Sequence, residues 1–141
     1  MSGTWDATIM SAYAVDTGEP FAVDAVGNGE KFDVVANVRI GRNLMQFVDR
    51  CELFVSVRNL THSTTTAYQH QHFALTPQKL ALTEAFRVQL ASGWTAGEGD
   101  VLEVLATFKV TSGINYDYSM ARSAPFIVRG PSPTEPAPAS G

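Results

Sequence analysis

The chain has 141 residues, a formal net charge of −4 and 45% hydrophobic residues, which suffices for one ordinary core and is too short for two comfortable domains. Charged residues make up only 17%, against roughly 25% in an average soluble chain. The ten Lys and Arg are scattered singly, which argues against a nucleic-acid module built on a clustered basic surface.

No stretch of about 18 apolar residues offers a membrane span. Met1 to Asp6 carries neither a basic n-region nor an apolar h-region, so the expectation is cytoplasmic synthesis without a signal peptide, either as a free protein or as part of an assembled particle.

In chain order, Trp5 to Val15 reads as a first strand with Trp5, Ala7, Ile9, Ser11, Tyr13 and Val15 on one face. Asp16-Thr17-Gly18-Glu19-Pro20 is a turn cluster, Phe21 to Val26 a short strand, and Gly27-Asn28-Gly29 a second turn. Phe32 to Ile40 alternates most clearly: Phe32, Val34, Ala36, Val38 and Ile40 against Asp33, Val35, Asn37 and Arg39. Leu44 to Asp49 fits either one helical turn or a connecting strand. Arg50 to Asn59 alternates again, with Cys51, Leu53, Val55 and Val57 inward. The lone Cys51 excludes an intramolecular disulfide and reads as a small buried hydrophobe.

His62 to Thr66 reads as a polar loop and Tyr68 to Leu75 as a strand with Phe73 and Leu75 inward. Leu80, Leu82, Phe86, Val88 and Leu90 share parity, in one strand or in two broken near Glu84. A glycine-rich connection from Gly93 to Asp100 leads into Val101 to Thr111, with Leu102, Val104, Ala106, Phe108 and Val110 inward. A loop from Ser112 to Ser123 precedes a last strand, Pro125 to Arg129. These seven to nine strands predict an all-β antiparallel β-sandwich over residues 1–129. Residues 130–141, rich in Pro, Ser and Ala, read as a flexible tail.

Phe86-Arg87-Val88-Gln89-Leu90, then Trp94, Gly97 and Gly99-Asp100, then Val101 to Ala106 resemble the late strands of bacterial immunoglobulin-like and fibronectin-like modules. The resemblance spans residues 78–129 and implies topology only. The Cys–Trp–Cys spacing is missing, and a jelly roll of eight short strands is the rival architecture.

His70 and His72 flank Gln71 on a strand, which puts both imidazoles on one face, with His62 in the preceding loop. No acidic residue or Cys lies at a matching local spacing, so no metal or cofactor is expected. Tyr68, His70 and His72 then form an outward contact patch. The segment around Asn115, Tyr116, Asp117, Tyr118, Met120 and Arg122 reads as the main binding loop, since such residues suit recognition loops. Phe54, Val101 and Leu105 are apolar residues at outward positions and suggest a surface covered by another chain.

The Gly-x-Ser-x-Gly, His-Glu-x-x-His, phosphate-loop and dinucleotide patterns are all missing. The expected function is therefore a non-catalytic protein-binding or assembly module, using a protein partner or self-assembly. The alternatives are a structural component of a larger particle, such as a virion or secretion-type assembly, and a small-ligand, carbohydrate or metal-binding sandwich.

Overall fold

Side-chain alternation at a spacing of two becomes two facing sheets in a computed structural model that describes residues 6–130. The elements are β1 (Ala7–Val15), β2 (Ala25–Gly27), β3 (Phe32–Ile40), α1 (Arg42–Gln46), β4 (Arg50–Asn59), β5 (Thr64–Ala74), β6 (Leu82–Leu90), β7 (Val101–Ser112), β8 (Asn115–Arg122) and β9 (Phe126–Arg129). One sheet has the order β1-β3-β6; the other runs β2-β9-β7-β4-β5, with β8 also on β7. All pairings are antiparallel except β2 with β9. The fold is an all-β sandwich. Trp5 and the proline-rich tail from residue 131 lie outside the described residues.

The inward residues of β3, β4 and β7 are those the alternation selects: Phe32, Val34, Val38, Leu53, Val55, Leu102, Val104 and Phe108 are all buried. Two aromatic groups join the sheets. Phe86 of β6 lies 4.2 Å from Phe73 and 6.1 Å from Phe108 between ring centroids. Phe32 meets Trp94 and Phe126 edge-on, and the Trp94 indole N–H donates to the Glu30 carbonyl at 2.8 Å. Cys51 is buried, and its burial, with Glu52 adding to it, pushes the thiol up to about 12.

Five expectations are corrected. The residues of β1 in the core between the sheets are Ala7, Ile9, Ala12 and Ala14, with Val15 also buried at the end of the strand, because a register irregularity between Ile9 and Ser11 lets Met10 bulge and reverses the parity that follows. The second strand is only Ala25–Gly27, with a separate bridge between Val15 and Ala22. Thr64 to Thr66 belong to β5. Strand β6 is one unbroken strand through Glu84, as one of the two readings had it, but it starts at Leu82, and Leu80 lies before it, exposed. Most consequentially, residues 113–122 form a tight hairpin and a full strand, β8. The segment 44–49 resolves to a short helix, Arg42–Gln46, that buries Leu44 and Met45.

A buried carboxylate ties the corner ahead of β7. Asp100 Oδ2 accepts the Asn59 side-chain N–H at 2.8 Å and the Gly97 backbone N–H at 2.7 Å. His62 Nε2 stands 3.4 Å from Oδ1. These contacts, the Asn59 hydrogen bond first, hold the Asp100 carboxyl below its ordinary value of 3.8. A depressed carboxyl stabilises the fold fully above the unfolded value and loses that contribution as pH falls through the folded one. Asp100→Asn should therefore lower the urea midpoint at neutral pH, and the gap to wild type should close below pH 3.8. Equilibrium unfolding across that range checks it; a gap independent of pH would exclude the charge as its source. Asn59, in a glycosylation-type triplet with Leu60 and Thr61, is itself buried by this contact.

Candidate binding face

The outward positions of β5, β4, β7 and β8 form one continuous surface, because the register of three strand pairs aligns them. His72 pairs with Glu52, Glu52 with Lys109, and Lys109 with Tyr118. The next row is His70, Phe54, Thr107 and Met120; the one after it is Tyr68, Ser56, Leu105 and Arg122. Thr111 and Tyr116 extend it at one end, and Arg58 and Glu103 at the other. Residues far apart in sequence are thus neighbours on a single face.

The hairpin supplies the β8 side of this surface. Ser112 pairs with Asn115 across Gly113-Ile114, and Gly113 takes a φ of 62°, the left-handed conformation that a two-residue hairpin turn requires of its first central residue. Its N–H donates to Asp49 Oδ2 at 2.6 Å. Beyond the turn, alternation sends Tyr116, Tyr118, Met120 and Arg122 outward, all of them exposed. Lys109 Nζ lies 5.3 Å from the Tyr116 ring centroid and 5.5 Å from that of Tyr118, a cation–π arrangement that places the ammonium beside both rings.

On the β5 side, His70 stacks on Phe54 with ring centroids 4.2 Å apart and planes 7° apart. Its Nε2 lies 3.1 Å from Glu52 Oε2. His72 Nδ1 is 3.8 Å and Arg50 Nε 3.2 Å from Glu52 Oε1. One carboxylate, its side chain only 8% exposed, thus serves three partners. Tyr68, two residues before His70 on the same side of β5, is 55% exposed. Near Leu105 a shallow depression of about 290 Å³ is lined by Arg58, Leu60, Glu103, Leu105 and Arg122.

The face is also distinct in charge. Its four strands carry Arg50, Arg58, Lys109 and Arg122 outward against Glu52 and Glu103, a balance of +2 on a chain whose formal charge is −4. Such a reversal favours approach by anionic groups.

The structure thus brings Tyr68, His70, His72, Phe54, Leu105, Tyr116, Tyr118, Met120 and Arg122 onto one surface. Val101 shares the sheet side but sits at the start of β7, paired with Ile127 of β9. Two expected residues do not join. Asp117 points the other way and accepts the Ala7 N–H at 2.8 Å. Asn115 sits beside the turn. His62 belongs to the Asp100 corner. Sequence reasoning missed Glu52 and Lys109, whose proximity to the histidines and tyrosines arises only through cross-strand register.

No protein-family model matches this sequence, and no curated protein matches it either. Among solved structures, the chain is similar to the C-terminal domain of wzt at 11% identity and a TM-score of 0.53, covering 93% of this chain and 77% of that one. It also aligns with a putative beta-galactosidase from Bacteroides fragilis at 13% identity and a TM-score of 0.45, over 86% of this chain but 17% of that one. A glycosyl hydrolase family 2 member from Bacteroides cellulosilyticus aligns at 9% identity and a TM-score of 0.45, over 82% of this chain and 14% of that one. The chain spans a small fraction of these two enzymes, and the wzt likeness establishes a shared β-sandwich fold.

Proposed function

We propose that this chain is a non-catalytic binding module whose recognition surface is the outward face of β5, β4, β7 and β8. One observation carries the reading: aromatic, imidazole and apolar side chains from four strands converge on a single face of reversed charge. Tyr, Met and Arg are the residue types that recognition surfaces enrich. The partner fitting this face is a protein surface bearing acidic groups. An assembly role in a larger particle would use the same face to bind another subunit. A carbohydrate ligand is the second reading, favoured by aromatic rings interspersed with the hydroxyls of Ser56 and Thr107 on one open strip.

Replacing both Tyr68 and Tyr118 by Ala should weaken binding by about 2 kcal/mol or more, roughly 30-fold, if they act as hot spots. Gln89→Ala, an exposed change on the other sheet, should leave binding intact. Protein capture, a glycan panel and light scattering for self-association, each run with these variants, assign the ligand class. Binding that survives the Tyr pair but fails on Gln89→Ala would place the site elsewhere.

A further inference from the structure

At the β5 edge of the face, Glu52, His70 and His72 each offer a donor atom, all within 4.8 Å of one another. Two ligands held by zinc at about 2.0–2.1 Å with tetrahedral angles stand roughly 3.3 Å apart. The 3.1 Å between His70 Nε2 and Glu52 Oε2 is already close to that edge. His72 Nδ1 lies 3.8 Å from Oε1 of the same carboxylate, and each residue offers a donor within 4.8 Å of the others, so rotation of the more exposed His72 ring brings its donor toward Oε2.

From these distances we infer that Glu52, His70 and His72 form a binding site for a divalent transition-metal ion of the zinc type. The donor set is two imidazoles and one carboxylate, which suits zinc and leaves a fourth position open. Burial of Glu52 beneath the imidazoles directs that position outward, onto the face. The Phe54 ring stacked on His70 fixes its plane, as supporting groups do around metal ligands. Arg50 Nε is ion-paired with Glu52 Oε1 at 3.2 Å, which leaves Oε2, the oxygen beside His70 Nε2, for the ion, and Arg50 orients the carboxylate while competing with the ion in charge. His62 has no part in this site, since its ring meets Asp100.

The site shares the proposed recognition face but does not depend on that reading. The test is a titration of tag-free, chelator-treated protein with zinc chloride, followed by calorimetry and by the imidazole proton resonances. The expected result is one saturable zinc per chain, with the His70 and His72 resonances shifting and those of His62 unmoved. His70→Gln with His72→Gln should abolish uptake, whereas Tyr118→Ala should retain it. Wild-type protein that takes up no zinc, or zinc that moves His62 and leaves His70 and His72 unchanged, overturns the site. The resonance readout needs no variant, so a misfolded mutant leaves the answer intact. Failure here leaves the Tyr68 and Tyr118 binding test untouched, and failure of that test leaves zinc uptake untouched.

Discussion

Phe108→Ala is expected to destabilise the fold by about 3–5 kcal/mol, the usual cost of emptying a buried phenylalanine site. Phe108 is fully buried on β7, which pairs with β4 on one side and with β8 and β9 on the other. Its ring stands against Phe86 of the opposite sheet, and Phe86 in turn packs at a tilt on Phe73 of β5. Removing it leaves a cavity between the sheets that the strands on either side cannot close without breaking ladder hydrogen bonds. Against a total stability of about 5–15 kcal/mol, the loss is large enough to leave a fraction of the chain unfolded. Chemical denaturation with unchanged slope should show a lowered midpoint. Since Thr107 and Lys109 flank Phe108 on the outward side, partner binding should fall with the folded fraction and recover when corrected for it. A Phe108→Ala protein within about 1 kcal/mol of wild type would mean that the sheets repack around the gap.

Much of this architecture was legible in the alternation. Strand β4 occupies the predicted residues 50–59 and β3 residues 32–40, because an uninterrupted period of two fixes both the strand and its buried side. The same rule failed in β1, where one extra residue at Met10 shifts the phase. Nothing local marks that bulge; it arises from pairing with β3. The hairpin escapes the rule for another reason. Gly113-Ile114 is a weaker turn signal than Asn-Gly, and the tyrosines that follow suit a recognition loop. Yet Tyr116, Tyr118 and Met120 against Asp117, Ser119 and Ala121 is itself an alternating run.

The candidate surface was legible only in fragments. Phe54, Leu105, Tyr68, His70, His72 and the β8 residues stood out separately as outward or exposed. Their union depends on strand order, which places β4 and β7 between β5 and β8. Glu52 illustrates the limit. It lies 18 and 20 positions before the two histidines in sequence, so no local motif links them. The antiparallel register sets it directly opposite His72.

Strand β8 has two faces with separate tasks, and its inward polar pair should prove structural. Strand β1 is an edge strand of the three-stranded sheet, so its outer backbone N–H groups need acceptors. Asp117 Oδ2 accepts from Ala7 at 2.8 Å and Ser119 Oγ from Ile9 at 3.0 Å. Side chains of one sheet thus close the edge of the other without a ladder. Ala7 and Ile9 are both buried, so water is a poor substitute. Removing an acceptor there costs about 1–3 kcal/mol each, and Asp117→Ala with Ser119→Ala should cost about 2–5 kcal/mol together. The neighbouring outward changes Tyr116→Ala and Met120→Ala, on exposed positions, should each stay within about 0.5 kcal/mol. Amide hydrogen exchange separates the two roles: the inward pair should speed exchange at Ala7 and Ile9, and the outward pair should not. Unchanged exchange at Ala7 in the double variant would show that another group holds the β1 edge, and would return Asp117 to the recognition residues.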